Sequence, residues 1–340
     1  IIGVKDGNGN HTAYLLDCWG RIESIKKADG SEETYSYDNA GNMATSTDGE
    51  NNTTSYTYNS INKLSARIDA LGERETYHYD GEGRVATYTD RNNITATYRY
   101  NCYGNMILRQ NQTSGQQEIF GYNADGLLKY AISSGMRYDY TYYKDGSLKE
   151  KKASGKTLIS YEYDLNGNKI GQTDISAKKI AYSYNLNNQL ESVSDHGINL
   201  AKYSYYPDGS IRSTLVGDDI INSYSYDIDK NLSELRTGFG PIGNETFLVN
   251  NHYQYDKNGN CISKEMLSGV QHYEYDTQNR LVKADYPTYS ESFYYDRSGN
   301  RTGYMSNGME VEYLYGAGNR LIEMTTRQGS KEEVTEFEYD

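Results

Sequence analysis

Proline is nearly missing from this 340-residue chain, at 3 residues, and so are tryptophan at 1 and cysteine at 3. Three cysteines, Cys18, Cys102 and Cys261, make no disulfide framework. Scarce proline beside 33 glycines and 38 tyrosines argues against low-complexity disorder, which carries more proline and fewer aromatics. Hydrophobic residues reach only 36%, below the share that fills thick globular cores. Basic residues are outnumbered 34 to 47, and the net charge of −13 excludes general binding to a phosphate backbone. Apolar runs are a few residues long, so no segment reads as a membrane-spanning helix.

What the chain does have is tyrosine at a fixed interval. An anchor tyrosine recurs at Tyr37, Tyr58, Tyr79, Tyr100, Tyr122, Tyr142, Tyr163 and onward to Tyr339, with Leu16 in its place at the start. The spacing is 20 to 22 residues except at two places. Two residues before each anchor stands another aromatic, as in the pairs Tyr35/Tyr37, Tyr77/Tyr79, Tyr98/Tyr100, Tyr161/Tyr163 and Tyr253/Tyr255. A spacing of two puts both rings on one face of a strand.

The residue after the anchor is Asp or Asn in 13 of 16 cases, including Asp38, Asp80, Asp164 and Asp256. Both types enter turns by accepting from their own backbone. Four after the anchor comes Gly or Asn in 14 of 15 repeats, among them Gly41, Gly83, Gly104, Gly167 and Gly259, and Lys230 alone departs. Such residues tolerate the left-handed region that closes a tight hairpin with a bulge. An apolar residue follows two positions later, for example Met43, Leu64 or Val85.

Each unit therefore reads as strand, tight turn, strand and a second, looser turn such as Asp29-Gly30, Asp48-Gly49 or Ser154-Gly155. The expected fold is all-β, a single array of tandem hairpins over residues 1–340, with strand as the only substantial regular structure. Sixteen hairpins at ~4.8 Å per strand extend to roughly 150 Å of sheet, which favours coiling into a curved or spiral, partly hollow wall. A longer unit places an inserted loop at 233–252.

The string Tyr-Ser-Tyr-Asp-Asn-Ala-Gly-Asn-Met at 35–43, repeated in kind at 77–85, resembles the YD repeat of the RHS family. That family includes bacterial polymorphic toxins, wall-associated proteins, toxin-complex components and teneurins. The resemblance covers essentially the whole chain and implies a secreted or cell-surface β-shell, which in the toxins encloses a C-terminal effector. It also implies a self-cleaving terminal segment in many members, whose Asp-Pro and Gly-rich signature is not found here, so the chain is expected to be a fragment of a longer shell.

Catalysis has no local signature. His11, His78, His196, His252 and His272 fall at unlike phases of the repeat. Asp-rich stretches at 6–10, 164–168 and 256–260 imitate the start of a calcium loop but lack its Gly and Glu at the later positions. The expectation is a non-enzymatic scaffold without catalytic, cofactor or metal residues. Its expected partner is the C-terminal effector of the same full-length protein, or another cell-surface protein or glycan. A carbohydrate-binding or adhesion module is the alternative function, although sugar-binding repeats of this length rely on tryptophan, here only Trp19.

Overall fold

The structure is a computed structural model that describes residues 2–240 and 246–339. They form 32 β-strands, all antiparallel, and one short 3-10 turn at Ala317–Asn319. Pairing follows chain order: the strand Glu32–Tyr37, for instance, lies between Ile22–Lys26 and Met43–Thr47. By contact the chain divides into two compact units, Ile1–Asn93 with His252–Asp340 as the first and Ile94–Asn251 as the second.

The hairpin at 32–47 shows why the repeat folds as it does. Asp38 donates its amide to the Asn42 carbonyl, and the Gly41 amide returns to the Asp38 carbonyl at 3.0 Å. Gly41 sits at φ 89°, and Gly83, Gly104 and Gly167 take 76°, 85° and 85°, the left-handed region that L side chains avoid. The same position is filled at φ 58–61° by Asn62, Asn188, Asn279 and Asn319, and at 66° by Lys230. Beyond the turn the register slips by one, so that Tyr37 faces Met43 while Ser36 faces Thr45. The extra residue is a β-bulge, and it recurs at the anchor of each tight hairpin whose register is described.

The bulge splays the next hairpin away. Between Ile22–Lys26 and Glu32–Tyr37 the ladder runs only from Lys26↔Glu32 to Ser24↔Thr34, leaving Ile22 beyond its end. There the Tyr37 hydroxyl donates to the Ile22 carbonyl at 2.8 Å. Tyr58 does the same to Met43, Tyr79 to Leu64, Tyr205 to Leu190 and Tyr295 to Leu281, at 2.7–2.9 Å. At these anchors, and likewise at Tyr122, Tyr142, Tyr184 and Tyr275, the ring lies across the gap between two repeats and closes it with its hydroxyl. Burial raises the Tyr58 and Tyr79 hydroxyls above their ordinary pKa, so they stay protonated as donors.

Burial follows the alternation of the strand: Tyr35 and Tyr37 are half-buried while Ser36 between them is exposed, and Tyr56, Thr57 and Tyr58 repeat the pattern. Few side chains are fully enclosed, the apolar ones described being Ala66, Ile221, Ala284 and Val311. The accessible surface is 21117 Å² for 38.6 kDa, about half as much again as the ~14,000 Å² of an ordinary monomer of that mass. A single sheet layer with rings lying along it accounts for that excess.

Of the stretch 233–252 expected as a long loop, Leu232–Phe239 and Thr246–Tyr255 are strands, and 241–245 lie outside the described residues. The Ile220–Tyr226 strand pairs with its neighbour out to Ile220↔Phe239, so part of the insertion lengthens a hairpin.

Two pairs of substitutions check this account. Tyr58→Phe removes the bond to the Met43 carbonyl and is expected to cost about 1 kcal/mol, with Tyr58→Ala reaching about 2 to 4 kcal/mol, by urea denaturation. Ala177 holds φ 62° at a second turn, so Ala177→Gly should stabilise by up to about 1 kcal/mol while Gly167→Ala destabilises by a similar amount. Equal signs for the two changes would refute the left-handed explanation.

Candidate functional site

In every tight turn where Asp follows the anchor, its carboxylate is spent on the turn. The Asp164 Oδ1 accepts from the amides of Asn166 and Asn168, and Oδ2 from the Asn168 side chain. The turn at 256–260 is built alike around Asp256. Among the described residues no group of three His, Cys, Asp or Glu side chains is placed to hold a metal ion. The five histidines lie exposed on separate strands and turns, His196 being held by the Asp195 carboxylate at 2.6 Å. Cys18 and Cys102 are exposed free thiols, and burial pushes the Cys261 thiol up.

Where Tyr143 and Tyr206 replace the Asp, the arrangement changes. The cap moves to Asp145 and Asp208, whose Oδ1 accepts from the amide and hydroxyl of Ser147 and Ser210. The displaced tyrosines reach forward instead, donating to the carbonyls of Tyr161 and Tyr224 with their rings edge-on to Tyr163 and Tyr226.

The residue after the left-handed position has a second task. As Asn it bonds to an Asn of the next turn: Asn42 to Asn62, Asn168 to Asn188, and Asn260 to Asn279 at 2.8 Å. As Arg it grips the Asp and covers the next anchor ring, with Arg21 4.2 Å from the centre of Tyr37 and Arg280 5.0 Å from that of Tyr295. Asn in place of Gly at the left-handed site therefore accepts strain in exchange for a bond between turns.

Within the first unit these turns form an interface. The second turns of segment 1–93 seat on the tight turns of segment 252–340. At one station Asn8 donates to Asp256 while Asn258 donates to Asp6, both at 2.7 Å, so that two copies of one turn clasp reciprocally. Arg280 meets Asp29 at 3.3 Å at the next. Farther along, Arg297 donates its amide to Glu50 at 2.9 Å, Asn319 donates to Asp48 at 2.8 Å, and Arg320 pairs with Glu73. Contact is so close that a Cβ on Gly7 would stand 2.2 Å from the Lys257 carbonyl oxygen, and one on Gly49 2.4 Å from that of Arg297.

The motif residues Tyr35, Tyr37, Asp38 and Gly41 and their equivalents thus build each hairpin, whereas Gly7, Gly49, Asp29 and Glu73, all in second turns, join one row of hairpins to another. The signal for them was faint: Asp-Gly-Asn-Gly-Asn at 6–10 echoes Asp-Lys-Asn-Gly-Asn at 256–260.

Gly49→Ala is expected to loosen the interface without unfolding the hairpin, read as faster hydrogen exchange at the Glu50 and Arg297 amides. Gly81→Ala is the control, since nothing lies within 4 Å of its Cβ position. Acid should weaken the turns. Side-chain bonds from Asn42 and Asn168 hold Asp38 and Asp164 below the usual carboxylate range, and the Ser210 hydroxyl and amide with Lys230 hold Asp208 down to about 2. Depressed folded values give stability that is complete above the unfolded pKa of ~3.9 and lost as pH falls through the folded ones. The melting temperature should therefore drop between about pH 4 and pH 2, and a flat profile there would contradict the capping scheme.

Comparison with known proteins agrees with this geometry. The RHS repeat family model matches residues 17–53 and 58–95. A search of curated proteins finds no match. Among solved structures, the Tc holotoxin pore of Photorhabdus luminescens superposes with a TM-score of 0.74 over 96% of this chain at 15% identity. A TcdB2-TccC3-Cdc42 complex matches at 0.60 over 97% and 14% identity. The chain spans 19% and 22% of the lengths of those chains. RHS repeats are thus matched within residues 17–95, and the antiparallel sheet has the fold of the Tc toxin components.

Proposed function

We propose that the chain is a wall segment of an exported or surface-displayed protein that encloses or presents an effector polypeptide. What carries the reading is that the first unit is tight in two directions. Strand ladders and tyrosine hydroxyls join hairpins along the sheet, and the Gly7 and Gly49 contacts seal one row of turns against another. An enclosure needs both, while a ribbon that merely displays ligands needs only the first. The likeness in fold to Tc toxin components supports the same reading, as does a repeat in which unlike catalytic groups do not converge. The partner is then the C-terminal effector of the same full-length protein, held by position rather than by a specific pocket.

Protease protection tests this on the full-length gene product. Its effector region should resist digestion in the native protein and be cut at least tenfold faster once Gly7→Arg and Gly49→Arg open the row contact. Cleavage of that region at the rate of the free polypeptide would reject enclosure.

A further inference from the structure

The reciprocal clasp in the first unit is made by two Asn-Gly steps, Asn8-Gly9 and Asn258-Gly259. Asparagine before glycine is chemically exposed, because a glycine nitrogen has no neighbouring Cβ to hinder its approach to the side-chain amide. In that reaction the glycine nitrogen loses its proton and bonds the asparagine Cγ, the Cγ–Nδ2 bond breaks, and ammonia leaves. Water then opens the five-membered succinimide to aspartate or isoaspartate. The net exchange is water in and ammonia out, with a carboxylate where a carboxamide stood.

The clasp holds both reacting groups. The Gly9 and Gly259 amides donate to the Asp6 and Asp256 carbonyls at 3.1 Å, so each nucleophile is engaged within its own turn. Each leaving group is engaged from the facing turn: the Asn8 side-chain amide donates to Asp256 and that of Asn258 to Asp6, both at 2.7 Å. Two other Asn-Gly steps lack that second restraint. In the second unit Asn166-Gly167 sits in the same kind of turn, with the Gly167 amide on the Asp164 carbonyl, but its side chain donates to Asn188 of the next turn. Asn307-Gly308 is exposed, and among the described residues its side-chain amide makes no hydrogen bond.

We propose that Asn8 and Asn258 are deamidation sites guarded by the clasp, which makes it a one-way latch. While the turns stay together the side-chain amides are held and the asparagines last. Once the turns part, both amides are free to react, and the product cannot re-form the clasp. Deamidated Asn8 presents a carboxylate to Asp256, and deamidated Asn258 one to Asp6, so each donor is replaced by an acceptor of like charge. Opening then becomes permanent through a covalent change that needs no enzyme. The latch concerns the fate of this contact after opening and stands whether or not an effector is enclosed.

Peptide mass spectrometry on the chain, incubated warm at mildly alkaline pH, tests the latch by the rate of amide-to-acid conversion at each site. Asn307 should convert at least tenfold faster than Asn8 and Asn258. Gly7→Arg, which drives a side chain into the Lys257 carbonyl, should raise the rate at Asn258 at least fivefold and leave Asn166 unchanged. Conversion of Asn8 and Asn258 as fast as Asn307 in the native chain, or no response of Asn258 to Gly7→Arg, would overturn the guard. The irreversible arm is read separately, by hydrogen exchange at the Glu50 and Arg297 amides farther along the same contact. Asn8→Asp with Asn258→Asp should speed it at least fivefold while Asn166→Asp does not, and unchanged exchange in the double variant rejects the latch.

Discussion

The bond from an anchor tyrosine to a carbonyl of the preceding repeat is the interaction on which the rest depends. A bulge beside every tight turn lets the hairpin close around a left-handed residue, but it also ends the ladder to the neighbouring repeat early. A purely apolar ring would fill that gap and leave the carbonyl without its donor; a hydroxyl alone would not reach. Tyrosine supplies both, which is why 15 of the 16 anchors are tyrosine and none is phenylalanine. Phenylalanine is accepted at the flanking aromatic, as Phe120, Phe293 and Phe337 show, where area is enough.

Polar groups carry the remaining order. Carboxylates close the turns, asparagine and arginine tie turn to turn, and the row contact in the first unit is made by the same residue types reaching across about 250 residues of sequence. Charge is used sparingly there. Arg280 and Arg320 each meet an acid of the other segment, half-exposed pairs that contribute orientation more than stability. Close approach of backbone at Gly7 and Gly49 does more to define the contact, because a methyl group at either place has nowhere to go.

Much of the fold was legible from the repeat because its signals are local. Spacing of two gave the strand face, Asp and Gly gave the turn, and fifteen recurrences made the reading secure. What stayed hidden was relational. Nothing in Tyr37 alone names Ile22 as its acceptor, since that depends on the bulge cutting the ladder short. The second turns read as looser, yet those at Asp48 and Asp69 carry the same carboxylate cap as the tight ones, with Asn51 rather than Gly49 in the left-handed region. Gly49 was thereby free for the contact with Arg297, and no pattern within one repeat distinguishes a glycine kept for conformation from one kept for proximity.

The shortage of enclosed side chains bears on how the protein responds to temperature. Unfolding raises heat capacity mainly by wetting apolar surface, while wetting polar surface lowers it, with a net of ~12–15 cal/mol/K per residue for compact domains. This sheet already presents much of its surface to water and releases many polar contacts when it opens. Its increment per residue falls below that range, and a small increment means a shallow curve of free energy against temperature. Cooling and warming then move the protein little from its optimum, a form of robustness that comes from having little to hide.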